Sequence, residues 1–527
     1  MPRLRPRPRL VYPEQPFHQF LRDTADRQPE EVALRFEDEV LTYRELDARG
    51  TSLANALTGL GFGLGSRAVL ASGNRPEWLL AMHGISQAGG ASVLVNSSWK
   101  AAELEHAFAL TRPELVLADG PLADVLDRSG IALPERRLCF DDDPPRGWLP
   151  FWDVVTSGAG TRPGPLDADL GRLEAFLPFS SGTTGMPKAV RHTHRSAVAC
   201  VVQRRAGYGV KRTDRLQFFM PLFTIYGVMV SSSAMAAGAS LRLFRRFDAP
   251  TVLRNLEQER ITLAFATGPV AVALRDQPDL ERYDLSSLRS FMWGATPVVH
   301  EIAEEITART GVRWFVAYSM TETGVCANPV ERPDLWRLDS PGYPLSDVEL
   351  RVVDLDTGEE VGPGDEGELV VRSPSTMLGY LPEEANDDAF LPGGWFRTGD
   401  VGWVEPDGWV HLTDRAKEML KVSGFQVAPV ELERVLLGHP AVADCAVYAV
   451  PDTRRGEAPK AAVVRHPGQD VTAEELQAWV ADRLARYKHL AAVAFVESIP
   501  RNAGGKVLRR VLRDADPDAA ADVTARR

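Results

Sequence analysis

Residues 176–190 read FLPFSSGTTGMPKAV. An apolar, strand-like run leads into Ser180, Ser181, Gly182, Thr183, Thr184 and Gly185, followed by Pro187 and Lys188. Glycines let the backbone turn tightly and bring its N–H groups close to an anion. Four hydroxyls add donors, and the lysine adds a mobile positive charge. The stretch therefore predicts a phosphate-gripping loop at the end of a strand. It is not the GxxxxGK[ST] loop, because Lys188 follows Gly-Met-Pro and no GK[ST] opens a helix.

Outward from this loop, short apolar runs alternate with amphipathic stretches. RAVLAS (67–72), ASVLVN (91–96) and ELVLAD (114–119) read as strands. PEWLLAMHGISQAG (76–89) and AAELEHAFALTR (101–112) read as helices, the first with Pro76 at its start and Gly89 at its end. The alternation repeats in SLRLFRRF, TVLRNLEQERI and LAFATGP. It predicts layered, parallel α/β structure. From about Val348 the pattern changes to short strands separated by turns, with a hairpin signal at Asp407-Gly408. That segment reads as a small antiparallel barrel or sheet. Residues 415–527 carry their own strands and helices, among them a predicted helix over 473–487, and end in a tail that reads as disordered.

The 527 residues suggest several domains. Charged residues make up 25% and hydrophobic residues 44%, which excludes a wholly disordered, collagenous or coiled-coil chain. A net charge of −12 argues against a dedicated nucleic-acid binder. Cys139, Cys200, Cys326 and Cys445 have neither CxxC spacing nor the density of a disulfide framework, so a reducing, cytoplasmic setting is expected. The Arg-rich MPRLRPRPRL has no apolar segment behind it and reads as a frayed arm, not a secretory signal. Leu216 to Leu241 is uncharged and long enough to cross a bilayer, but its Pro221, Gly227 and serines predict a loop and a buried helix. Only eight of the 60 basic residues are lysine. Where such a chain keeps Lys, a compact point charge is called for instead of a planar fork.

SSGTTGMPK resembles the signature loop of the adenylate-forming superfamily, which comprises acyl-CoA synthetases, firefly-type luciferases and peptide-synthetase adenylation domains. YSMTE (318–322), WFRTGD (395–400), DRAKEMLKVSGFQVAPVELE (414–433) and PRNAGGKVLRR (500–510) agree in order and spacing. The chain is most similar to aryl- and acyl-CoA ligases of the coumarate-ligase type. The resemblance implies an N-terminal domain, residues 1–414, of two doubly wound α/β subdomains and a small β-barrel. A small mobile α+β domain, 415–527, would follow a hinge near Lys417. Carboxylate and ATP would give acyl-adenylate and pyrophosphate, and a CoA thiol would then attack the adenylate.

The same resemblance implies the site. Ser180 to Thr184 and Lys188 would hold the β- and γ-phosphates. Thr321 would bond the α-phosphate, and Glu322 would bind Mg²⁺, a hard cation that favours carboxylate oxygen. Gly294, Ala295, Thr296, Ala317 and Tyr318 would enclose adenine, with Tyr318 stacked on it. Asp400 would accept from the ribose hydroxyls, beside Arg415. Lys506 would bridge the substrate carboxylate and the α-phosphate, and so act by electrostatics and positioning. The C-terminal domain would then rotate, exchanging Lys506 for a face on which Lys421, Ser423 and Gly424 approach the pantetheine arm.

Thr224 stands where the family commonly has histidine, Trp293 where it has a small residue, and Ser319 where it has glycine. All three are expected in the acyl pocket. They predict a bulky or rigid acid of specialised metabolism, not acetate or an unbranched fatty acid. FTIYG lacks the Asp that would hold an amino-acid ammonium. The alternative is an adenylating enzyme that loads a carrier protein or leaves thiolation to a partner. No membrane span is expected, and the assembly is expected to be a monomer or homodimer. Lys188, Lys417, Lys421 and Lys506 all fall in these motifs, which accounts for half of the scarce lysines.

Overall fold

The structure, a computed structural model, describes residues 7–180, 186–416, 418–422, 425–452, 455–502 and 505–516. The expected alternation is present. Arg67–Ala71, Ala91–Leu94 and Leu115–Ala118 are strands, and Pro76–Gln87 and Ala101–Thr111 are helices. The helix Pro76–Gln87 is buried along its whole length, its Glu77, His83, Ser86 and Gln87 included. The helix Tyr43–Gly59 starts in a capping box, in which Thr42 accepts from the Glu45 N–H and Glu45 reaches back to Thr42.

Two large sheets result. One has eight strands and places Ala91–Leu94 between Arg67–Ala71 and Glu174–Ser180, all parallel. Lys188–Thr193 then returns antiparallel along Glu174–Ser180, with Lys188 opposite Ser180. The second sheet has nine strands. Its parallel centre runs from Trp314–Ser319 through Ser290–Trp293, Leu263–Ala266 and Arg215–Phe218 to Ser240–Leu243. One continuous hydrophobic core joins the sheets and contains Phe17, Tyr43, Trp78, Phe176 and Phe218. Each such side chain stabilises the fold by about 1.5–3 kcal/mol on burial.

The uncharged stretch is the strand Arg215–Phe218, a loop and the buried helix Ile225–Ala237. Among the described residues no helix is long and apolar enough to cross a membrane. All four cysteines are free and buried.

A five-stranded antiparallel sheet follows, with Glu349–Val353, Gly367–Arg372 and the hairpin Trp395–Val404/Val410–Arg415. Gly408, at φ 101, makes that hairpin's turn. A further sheet is built on the long pair Val442–Asp452 and Gly456–Arg465. It has its own core, including Leu420, Val447 and Leu476.

Three expectations change. The helix predicted over 473–487 ends at Ala481, and a 3-10 turn at Arg486–Lys488 follows. That turn delivers Lys488 to Glu431 at 2.6 Å. The N-terminal arm is docked from Arg7 onward. Arg7 donates to the carbonyls of Ala327 (2.6 Å) and Asn328 (3.1 Å), and Tyr12 donates to Asp347. The tail expected from Asp514 is ordered through Asp516, because the helix Arg509–Ala515 runs into it and Asp516 pairs with buried Lys460, and residues 517–527 lie outside the described residues.

Candidate active site

In open parallel sheets, ligands bind outside the carboxyl ends of the strands. Here the ends of both large sheets open onto one cleft of ≈ 1220 Å³. Ser180 ends the strand before the signature loop, and Pro221 and Thr224 follow Arg215–Phe218. Thr267 follows Leu263–Ala266, Gly294 and Ala295 follow Ser290–Trp293, and Thr321 and Glu322 follow Trp314–Ser319. Ala295 takes φ 64, a left-handed backbone that a non-glycine residue adopts at a cost of about 1–3 kcal/mol.

Most of the expected residues meet in this cleft. Ser180, Lys188, Thr224, Gly294, Ala295, Ala317, Ser319, Thr321, Glu322, Arg415, Lys421 and Lys506 line it. Ser181, Gly182, Thr183, Thr184, Lys417, Ser423 and Gly424 lie outside the described residues.

Four residues stand one layer back. Trp293 does not line the acyl pocket. It is 0% exposed, packs edge-on against Trp314, and donates to Thr296 Oγ1 at 3.1 Å. Successive residues of a strand face opposite ways, so Met292 takes the cleft side and Trp293 the core. Thr296 is likewise occupied, since its hydroxyl accepts from Gly268 N at 2.8 Å. Tyr318 donates its hydroxyl to Asp400 Oδ2. Burial, and then Asp400, push the Tyr318 phenol well above its usual range. Asp400 Oδ1 receives Arg415 Nε at 2.8 Å. Burial works against the Arg415 cation, but Asp400, Tyr318, Glu322 and Glu418 together outweigh it and raise the Arg415 pKa.

Thr224 caps the helix Ile225–Ala237, accepting from Gly227 N and donating to the Pro221 carbonyl at 2.8 Å. His192, a buried imidazole, bonds the Thr321 carbonyl at 2.8 Å and so fixes the turn that carries Glu322. Glu322 is 5% exposed, and its Oε1 accepts from Tyr380 at 2.8 Å. Burial, and then Glu322, raise the Tyr380 phenol, which therefore stays a donor. Glu322 supplies a single hard oxygen group, and no cluster of three His, Cys, Asp or Glu side chains stands ready among the described residues. That fits Mg²⁺ held by one carboxylate, with phosphate oxygens and water completing its shell.

Lys506 reaches the cleft on a tight loop. Its N–H donates to Asn502 Oδ1 at 2.9 Å, and Arg501 donates to the Gly505 carbonyl at 2.8 Å. Gly505 has φ +83, and a Cβ there would stand 3.6 Å from Pro269 and Thr267. The loop thus presses on the N-terminal end of the helix Gly268–Arg275. The Lys506 ammonium lies 3.3 Å from Glu418. Sequence reasoning passed over Glu418, Tyr380 and Arg509, although Glu418 and Arg509 lie inside the quoted motifs.

A lysine ammonium in a nucleotide-sized cleft that also holds a Mg²⁺-competent carboxylate is the equipment of an adenylate-forming ligase. The chain belongs to the AMP-binding enzyme family, whose main domain matches residues 21–381 and whose C-terminal domain matches 431–506. A curated relative, 4-coumarate–CoA ligase 2 of Oryza sativa subsp. japonica, is 35% identical over 90% of this chain and 87% of its own. Among solved structures, ATP-bound MatB from Rhodopseudomonas palustris has TM-score 0.87 at 26% identity, covering 95% of this chain and 99% of that one. The anthranilate CoA ligase AuaEII in complex with anthranoyl-AMP has TM-score 0.86 at 28% identity, covering 96% and 98%.

Proposed function

We propose that this chain activates a carboxylic acid with ATP to an acyl-adenylate, releasing pyrophosphate, and then forms the thioester with CoA. Its class is an AMP-forming acid–thiol ligase that uses ATP, Mg²⁺ and CoA. The observation that carries this reading is the presence of Lys506 in the same cleft as Thr321 and Glu322. There an ammonium can hold the substrate carboxylate and offset charge growing at the α-phosphate. When bound, Mg²⁺ neutralises phosphate charge. Glu322 would hold it, and Tyr380 keeps that carboxylate oriented.

The division of the chain at 414/415, with a hinge at Lys417, is part of the proposal. Rotation there would withdraw Lys506 and bring the Lys421 segment to the thiol. The two family matches, and the separate core containing Leu420 and Val447, support it. The four free cysteines support a reducing, cytoplasmic setting.

Thr224 and Ser319 remain as cleft-lining departures from the family pattern, and with them the proposal of a bulky or rigid acid. A pyrophosphate-release assay over a panel of acids tests it, with mass detection of the acyl-CoA. Fastest turnover of acetate or palmitate would sink the acid class. Pyrophosphate release that yields a thioester only on a carrier protein would replace CoA with that acceptor.

A further inference from the structure

One buried cation, among the described residues, has no carboxylate acting on its charge. Arg204, on the helix His194–Gly207, is 3% exposed and lines the same cleft as Tyr226, Met292 and Ser319. Its Nη1 has no hydrogen-bond partner. Burial disfavours its charge, while Cys200 and Tyr208, by their electrostatics and by hydrogen bonds to its side chain, raise its pKa, and no carboxylate is among these groups. Part-buried arginines elsewhere are ion-paired, Arg509 with Glu433 and Glu418 and Arg67 with Glu174, and the other buried arginine, Arg22, has Asp47 acting on its charge.

The position of Arg204 relates it to the chemistry. A Cβ on Gly324 would stand 3.6 Å from Arg204 Nη1, so the guanidinium lies against the turn that carries Thr321 and Glu322. The Arg204 charge also reaches His192, which bonds the Thr321 carbonyl. A second orphan stands on the same wall. The Tyr226 hydroxyl is buried without a partner, and a Cβ on Gly294 would lie 3.5 Å from it.

Burying a guanidinium without a counter-charge is strongly unfavourable, and a methionine would fill the same space without that cost. An uncompensated cation on the wall of a substrate cleft is complementary to an anion brought by the substrate. Arginine's planar fork suits a carboxylate in particular.

Resting on the adenylation reading above, we infer that Arg204 is a specificity residue for a second carboxylate. The preferred substrate is then a dicarboxylic acid, with one carboxylate at Lys506 and the distal one on Arg204, and with Tyr226 supplying a further hydrogen bond. A site built around a polar group discriminates sharply against the analogue that lacks it.

The test uses the full chain and pairs of acids that differ only in the second carboxylate: benzoate against isophthalate and terephthalate, and hexanoate against adipate. Pyrophosphate release is measured for the wild type, Arg204→Met and Arg204→Lys. In the wild type, at least one diacid should exceed its monoacid by about tenfold or more in kcat/KM. Arg204→Met should lose that preference, with the monoacid rate and the KM for ATP within about threefold of wild type. If Arg204→Met does not fold, Arg204→Lys carries the test, because it keeps the charge but loses the fork and should lower only the diacid. Monoacid preference in every pair would overturn the inference and leave adenylation intact. Equal losses for both acids, or a raised KM for ATP, would assign Arg204 to structure or to the nucleotide phosphates and overturn it as well. No pyrophosphate from any acid would overturn the adenylation reading and this inference with it.

Discussion

The Lys506 ammonium and the Glu418 carboxylate lie 3.3 Å apart, and Glu418 also receives the Arg509 guanidinium. Arg509 in turn lies 2.8 Å from Glu433. The cation at the centre of the proposed chemistry is thus held by a charge chain that runs through its own C-terminal segment. Glu418 is kept ionised despite its burial, because Arg509 and then Lys506 lower its pKa.

Lys506→Ala should abolish adenylation by about a hundredfold or more, the scale of losing one preorganised charge contact in a transition state. It should still convert pre-made acyl-adenylate and CoA. Assaying the half-reactions separately checks this, and equal loss of both would remove Lys506 from its assigned step. Lys506→Arg should rescue little, since a planar fork does not reproduce a point charge.

Burial, and then Arg415, lower the Lys506 pKa, while Glu418 raises it. Adenylation needs the ammonium, so its rate should fall as pH rises through a pKa below that of an ordinary lysine. Glu418→Gln removes the opposing influence. The alkaline limb of the kcat/KM profile should then move to lower pH. A limb that stays in place would show that another group sets it.

Tyr380→Phe leaves the Glu322 carboxylate without its orienting donor. A hydrogen bond to a charged group contributes about 1.5–3 kcal/mol. The half-saturating Mg²⁺ concentration for pyrophosphate release should therefore rise about tenfold or more. An unchanged Mg²⁺ titration would show that Glu322 needs no such support.

Asp414 is raised to about 6, first by burial, against the pull of Arg509 and two backbone N–H groups. Its folded pKa therefore exceeds its unfolded value of about 3.9. The folded state binds the proton more tightly, so this stabilisation is full below about pH 4 and is lost as pH rises through about 6. Asp414→Asn should flatten that part of the pH dependence of Tm. A slope between pH 4 and 6 identical to wild type would contradict the assignment.

Lys460 lies 2.9 Å from Asp516, with side-chain exposures of 9% and 4%. Removing one partner of a buried pair costs about 3–5 kcal/mol. Lys460→Met should lower the urea midpoint accordingly, and adding Asp516→Asn should recover part of the loss. A double variant no better than the single one would argue against a paired charge.

The strand and helix alternation was legible because apolar periodicity survives in sequence, and the signature loop because its glycines and hydroxyls are contiguous. Trp293 was misplaced because adjacent strand residues share a motif but face opposite layers. Arg204 carried no mark in VVQRRAG, where arginine is the ordinary base of this chain. Only its burial without a counter-ion sets it apart. Lys460 and Lys488 lie outside the quoted motifs, where the sequence offers no reason for keeping lysine. The structure supplies one for each, in Asp516 and Glu431, partners distant in sequence.

Asp516 takes two bonds at once, from Lys460 and from the Tyr448 hydroxyl at 2.6 Å. This single carboxylate sets a cutting line for anyone shortening or fusing the polypeptide. A stop placed one residue before Asp516 removes the acceptor of both bonds. The acidic end of 514–516 is therefore the clasp of the small lobe, and tags belong beyond it.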